Sequence, residues 1–293
     1  MKPIEALGFV GLGVMGEPMC ANLIRKSGKQ VFGTDVRRQP VERLAAIGLR
    51  PCASIAEVAA AADLIFLSLP SGAEVEAVCC NENGIVAAEG RTHTVVDMST
   101  SSARLSRELG ARLAAHEITF LDAPVARTRA AARDGTLSIM VGGSPQEFAA
   151  IRPLLAHMGS EINHCGGVGA GQVVKILNNM IVMVTVEALA EALVTARRSG
   201  VDGKLLFDVM SKGSADSFVL RNHGLKSLVP GTFPEDAFPV DYALKDLRLA
   251  MELATQGEVE LRSAPQVVEL LEQTARAGYA ANYFPVMIRQ IDK

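Results

Sequence analysis

One nine-residue stretch, Gly8-Phe-Val-Gly-Leu-Gly-Val-Met-Gly16, constrains this chain more than any other. Gly11, Gly13 and Gly16 follow an apolar strand directly and open a helix. That order has a mechanical meaning. Gly11 permits a tight turn, Gly13 lets backbone approach a pyrophosphate, and Gly16 lets helix and strand pack closely. The helix N-terminus then offers N–H groups that no residue within the helix can satisfy. Asp35 closes the next strand 19 positions after Gly16, where a carboxylate can accept a hydrogen bond from a ribose 2′-hydroxyl. The expectation is a dinucleotide cradle built from Gly11, Leu12, Gly13, Val14, Met15, Gly16 and Asp35. Asp35 favours NAD over NADP, because a 2′-phosphate would meet a negative charge. Arg37 and Arg38, just beyond, would tolerate that phosphate.

The stretches downstream alternate regularly. Short, near-continuous apolar runs (Gln30–Asp35, Asp63–Pro70, Thr94–Met98, Ile118–Pro124, Leu137–Gly142, Glu161–Cys165) are separated by segments of helical periodicity. Apolar strands between helices indicate a mostly parallel sheet covered on both faces. The loops "SLP" and "MST" end two of these strands. Their residues Leu69, Pro70, Ser99 and Thr100 are expected beside the ligand, since open parallel sheets bind beyond the C-terminal strand ends. After the glycine-rich stretch Gly166–Gly171 the rhythm changes to helices alone. The first runs over about 171–198, with Arg197 and Arg198 at the end favoured by the dipole and Gly200 stopping it. The predicted fold is therefore an α/β, Rossmann-like N-terminal domain over 1–164 followed by an all-α domain over 165–293. Helices are expected at Lys204–Lys212, Ser217–Ser227, Asp241–Gln256 and Ala264–Gly278.

Composition narrows the partners. A net charge of −3 argues against nucleic acid. The most apolar stretch, Met180–Ala196, contains Glu187 and Glu191 and suits a buried helix better than a membrane span. No segment reads as a signal peptide. Five cysteines, an odd number with no C-x-x-C spacing, fit a reducing cytoplasm. The histidines never fall at ligand spacing, so no metal site is expected.

The long helix opens with "GAGQVVKILNNMI". Lys175 and Asn179 are four residues apart and share a face, with Asn178 beside them. Two asparagines inside a helix are unfavourable by propensity, and a buried amide needs partners. The reading is an ammonium near a cleft, held by an amide, able to protonate a carbonyl oxygen and to take the proton back in reverse. An unperturbed lysine titrates near ~10.4, so the ammonium already carries that proton at neutral pH.

Six pieces together resemble the β-hydroxyacid dehydrogenases, the family of 3-hydroxyisobutyrate dehydrogenase. They are "GFVGLGVMG", "DMST", "DAPV", "GTLSIMVGG", Gly169–Asn179 as GxGxxxKxxNN, and "KDL" at Lys245–Leu247. The resemblance implies a reversible NAD(P)-linked oxidation of a short 3-hydroxy acid. It makes Lys175 the acid/base, Asn179 the residue that orients substrate, and Lys245 a neighbour of the nicotinamide. It also implies a homodimer or homotetramer. The chain departs from the family at one turn. Where most members continue "DAPV" with Ser-Gly-Gly, this chain has Ala126, Arg127 and Thr128. The change replaces a small polar cradle with a charged fork beside a hydroxyl, suited to a carboxylate, sulfonate or phosphate. It resembles the sulfolactaldehyde 3-reductase branch of sulfoglycolysis, which has Pro-Val-Gly-Arg-Thr. Here Ala126 stands for the branch glycine. "MGSE" at Met158–Glu161 and "AFPVDYALKDL" at Ala237–Leu247 are similar to that branch as well. The expected substrate is a small anionic aldehyde, bound through Arg127, Thr128, Ala126, Asn178 and Ser99. 3-Sulfolactaldehyde leads, with 3-hydroxyisobutyrate or tartronate semialdehyde chemistry as the alternative. A reading of another class is a dinucleotide-binding sensor without catalysis.

Overall fold

The computed structural model describes residues 2–88, 90–235 and 237–293. The chain divides into two compact units, 1–175 and 176–293. The division falls inside one continuous helix, Ala170–Arg198.

The first unit is built on strands β1 (Ala6–Val10), β2 (Gln30–Thr34), β3 (Arg50–Pro51), β4 (Leu64–Leu67), β5 (Thr94–Asp97), β6 (Thr119–Asp122), β7 (Val125–Ala126), β8 (Leu137–Gly142) and β9 (Gly159–Gly166). They pair in the order β3-β2-β1-β4-β5-β6-β8-β7, with β9 on β8. From β3 to β6 every pairing is parallel. β8 then runs antiparallel to β6 and β7, while β9 is parallel to β8. The sheet is mostly parallel, as the alternation predicts. Both faces are buried, and the strand sequences show why. Leu7, Phe9, Leu64 and Phe66 point into one apolar layer. Val10, Ile65, Leu67 and Val95 point into the other. With a side-chain period of two, only continuous apolar runs can fill both layers. Burying each such side chain contributes about 1.5–3 kcal/mol.

From β1 the chain steps to β2 and β3, then returns to β4 on the other side of β1. This reversal opens a crevice past the carboxyl ends of β1 and β4, the place where doubly wound sheets bind ligands.

The second unit contains the rest of the long helix, the helices Gly203–Met210, Val240–Gln256, Ser263–Thr274 and Ile288–Ile291, and a 3-10 turn at Phe284–Met287. Met183, Leu193, Phe207, Leu247, Val267 and Phe284 lie in its core. Two expected α-helical stretches differ. Leu220–Leu228 is a π-helix, and Ala275–Tyr279 is a π-turn that ends the helix before it, with Gly278 at φ +92°. An apolar periodicity does not separate α from π winding over so few residues. By length and composition alone the long helix would cross a membrane, but Gln172, Lys175 and Asn179 are buried along it.

Candidate active site

The loop after β1 has the geometry of a phosphate cradle. Gly11 holds φ +90°, and a Cβ there would lie 2.3 Å from the Ser68 carbonyl oxygen. A Cβ on Gly16 would lie 2.0 Å from the Gly11 carbonyl oxygen. Both glycines are therefore demanded by the protein itself. Gly13 is different. A Cβ there would meet only Arg37 Nη2, at 3.6 Å, so the protein leaves that face open. The helix Gly16–Lys26 has no side-chain cap at Met15, and in its first turn the Glu17 N–H donates back to the Gly13 carbonyl at 2.9 Å. An open backbone face beside uncapped helix N–H groups fits a dinucleotide pyrophosphate. Leu12 turns its side chain into the core, whereas Val14 is exposed.

Asp35 directly follows β2 and is tied to the glycine loop. The Leu12 N–H donates to its Oδ2 at 2.6 Å, and the Arg37 N–H and Nε donate to Oδ1 at 2.8 and 3.2 Å. Burial pushes its carboxyl up, but these hydrogen bonds and the Arg37 charge outweigh it and hold Asp35 below the usual carboxylate range. Arg37 also donates to the Leu12 carbonyl at 3.4 Å. The guanidinium thus lies folded against the glycine loop.

The loops after β4 and β5 border this crevice. Leu69 lies against Gly11, its Cδ2 2.9 Å from where a Cβ would stand. The Leu69 N–H donates to Ser99 Oγ at 2.9 Å, which joins the two loops. Ser99 is buried, and its N–H donates to Asp97 Oδ1 at 2.9 Å. Asp97 is wholly buried. Burial, helped by the charge of Asp122, pushes its carboxyl up to about 7 against the pull of hydrogen bonds from Ser99 and Ser101. Asp122 faces Asp97 across the β5–β6 register. Its two oxygens accept the N–H groups of Gly169 at 2.6 Å and Gln172 at 2.8 Å, at the start of the long helix. Burial raises Asp122 as well, against those backbone hydrogen bonds.

Beyond Asp122 lies the unusual turn. Ala126 ends β7, paired with Ser138. Arg127 has φ +86°, a region that bulky residues rarely occupy. Its Nη1 donates to the Thr136 carbonyl at 2.7 Å and to Ser160 Oγ at 3.1 Å. It pairs with neither Asp122 nor Asp134. Thr128 caps the short helix Arg129–Asp134, its hydroxyl accepting the Ala131 N–H. Lys175 closes this unit, 9% exposed, one and a half turns into the long helix.

In the second unit, Asn179 donates through Nδ2 to Asp246 Oδ2 at 2.5 Å and accepts from Asn178 Nδ2 at 3.0 Å. Both ends of its amide are thereby oriented. The Lys245 ammonium lies 3.4 Å from the other oxygen of Asp246 and 5.7 Å from the Tyr242 ring centre.

Comparison with known proteins agrees with this geometry. Residues 6–167 match the family model for the NAD binding domain of 6-phosphogluconate dehydrogenase. Residues 169–291 match that for the NAD-binding of NADP-dependent 3-hydroxyisobutyrate dehydrogenase. The chain belongs to the β-hydroxyacid dehydrogenase family. It is 36% identical to 2-(hydroxymethyl)glutarate dehydrogenase of Eubacterium barkeri, over 99% of this chain and 95% of that one. It is also 36% identical to 2-hydroxy-3-oxopropionate reductase of Escherichia coli K12, over 93% and 92%. The solved 3-hydroxyisobutyrate dehydrogenase of Mycobacterium tuberculosis with L-serine superposes with a TM-score of 0.89 at 30% identity, covering 99% of this chain and 100% of that one. As a β-hydroxyacid dehydrogenase, the chain is an NAD(P)-dependent oxidoreductase acting on CH–OH groups.

Three buried polar residues escape a reading by motif. Asp122 is quoted in "DAPV" but has no visible task until the helix it caps is folded against it. Gln172 stands between the signature glycines and Lys175 without a period that singles it out. Asp246 looks like a surface acid next to Lys245, yet it is only 2% exposed. One signal was available: the long helix starts at Gly169–Ala170 with no Ser, Thr, Asp or Asn there, so its cap must come from elsewhere in the chain.

Proposed function

We propose that this enzyme reduces a small aldehyde bearing an anionic group and oxidises the 3-hydroxy product in reverse, with NAD preferred over NADP. The favoured pair is 3-sulfolactaldehyde and 2,3-dihydroxypropane-1-sulfonate. The observation that carries the reading is Arg127. A long cationic side chain is kept at φ +86° in the turn that follows "DAPV", where a glycine would fit without strain. Backbone strain of this kind clusters at active sites and ligand clamps. Two of its five donors are spent on Thr136 and Ser160, and the described residues give the others no hydrogen bond.

In this reading Arg127, with Thr128 and Ala126 beside it, binds the anion, and Ser99 and Asn178 complete the contacts to substrate. When bound, the reduced nicotinamide supplies hydride to the carbonyl carbon. Lys175 gives its ammonium proton to the carbonyl oxygen and recovers it in the oxidative direction. Asn179, its amide oriented by Asp246 and Asn178, directs the substrate. Leu69, Pro70, Thr100 and Lys245 border the cofactor. The NAD preference rests on Asp35, whose carboxylate would repel a 2′-phosphate. Exposed Leu177 and Ile181 on the long helix support assembly into a homodimer or homotetramer, which sedimentation equilibrium reads.

Carboxylate substrates are the second reading, favoured by the names of the relatives above. One assay separates the two. NADH oxidation is followed with sulfolactaldehyde, methylmalonate semialdehyde and tartronate semialdehyde, for the unaltered enzyme and for Arg127→Ser, and repeated with NADPH. Sulfolactaldehyde should be the best substrate, and the variant should lose at least tenfold on it. If it is the poorest of the three and the variant loses nothing, the sulfonate reading fails.

A further inference from the structure

We propose that Gln172 is a positioning residue for the reaction, locking the strand-end loop 99–101 to the helix that carries Lys175. The inference rests on Lys175 as the acid/base of the function proposed above. The side chain of Gln172 is wholly buried in the first turn of the long helix. Its Oε1 accepts the Ser101 N–H at 3.1 Å, and its Nε2 donates to the Ser99 carbonyl at 2.8 Å. A primary amide here meets both polar groups of one loop segment, as a neighbouring strand would. The Gln172 backbone N–H donates at the same time to Asp122. Ser99 in turn accepts the Leu69 N–H. The loops after β4 and β5 and the start of the helix are therefore one hydrogen-bonded body.

Lys175 is three residues further along, on the same helix face and about 4.5 Å up the axis. A roll or slide of the first turn relative to the 99–101 loop moves the ammonium by a similar amount. Misplacement by about 1 Å can lower a rate by roughly 100-fold. The clamp needs a donor and an acceptor at this side-chain length. Methionine has the length without the amide's donor and acceptor, asparagine is one methylene short, and glutamate has a donor for the Ser99 carbonyl only while protonated.

The test compares Gln172→Met and Gln172→Glu with the unaltered enzyme, using whichever of the three aldehydes is reduced fastest. Single-turnover NADH oxidation should slow by about 10- to 100-fold in Gln172→Met. Gln172→Glu, whose buried carboxylic acid keeps the acceptor and, while protonated, the donor, should lose less. NADH affinity, read by fluorescence titration, should stay within threefold. A hydride-transfer rate within twofold of the unaltered enzyme overturns the proposal, as does a rate loss matched by an equal loss of NADH binding. Should Gln172→Met not fold, Gln172→Asn, whose amide is one methylene short of the loop, decides by the same two readouts. Hydrogen exchange supplies a measure independent of substrate. The amides of 99–101 and 169–175 should exchange faster together in Gln172→Met, and unchanged exchange counts against the clamp. A Lys175→Ala enzyme that retains full rate overturns the acid/base reading, and leaves the exchange result to judge Gln172 separately.

Discussion

At Arg127 the backbone bears a conformation that its side chain does not favour. A non-glycine residue at φ +86° costs on the order of 1–3 kcal/mol. The ties that hold it, to Thr136 and Ser160, are exposed and weak. Arg127→Gly should therefore raise the unfolding free energy by about 1 kcal/mol, read by urea melting, while activity on the sulfonate aldehyde falls at least tenfold. A destabilised variant would mean that the turn is not strained. The sequence singled out Arg127 because it breaks a glycine-rich pattern, but only backbone geometry shows that its presence carries a cost. Gly13 is the complementary case. Its missing Cβ is explained by nothing in the protein except open space, which is how a site for a bound phosphate looks from inside. Gly11 and Gly16 read the same by motif, yet they serve the protein's own packing.

Among the elements, the long helix gains its start from a residue 47 positions earlier in the chain. Asp122 accepts two of its otherwise unsatisfied N–H groups and places a carboxyl at the positive end of the helix dipole. Asp122→Ala should lower stability by about 2–4 kcal/mol, because it leaves those donors buried and unpaired. Urea unfolding of the purified variant checks this, and a loss under about 1 kcal/mol would show that water or another acceptor takes over. The helix itself, near 171–198, was legible from its dipole-matched arginines and from Gly200. Its cap was not, since hydrogen bonds between distant residues leave no periodicity. The π-helix Leu220–Leu228 was also hidden, because its apolar spacing is close to that of an α-helix.

For the molecule as a whole, buried carboxyls give the first unit a pH dependence with two opposite parts. Asp97 is pushed up to about 7 from an ordinary 3.8, so between those values the folded chain holds a proton that the unfolded chain releases. Its contribution is full below pH 3.8 and is lost as pH rises through 7. Asp63 moves the other way. Burial pushes it up, but the Ala6 and Glu5 N–H groups and Arg91 outweigh that and hold it low. Its contribution is present above 3.8 and is lost as pH falls through its lowered value. Asp97 thus contributes a decline between about pH 4 and 7, opposed by the rise from His223, whose imidazole burial pushes down to about 4, and Asp97→Asn should make the slope across that window more positive. A denaturation series that shows the same slope in both proteins would rule this out. The sequence by itself determined the layered α/β unit, the helical unit that follows, the glycine loop with Asp35, and the spacing of Lys175 and Asn179. Those features repeat with the period of a strand or helix, or sit a few residues apart, so local sterics encode them. The tertiary structure alone decided which carboxylates are buried, that Asp122 caps a distant helix, that Gln172 clasps the 99–101 loop, and that Arg127 is strained. Each of these depends on which chain segments meet in space, and no local pattern records that.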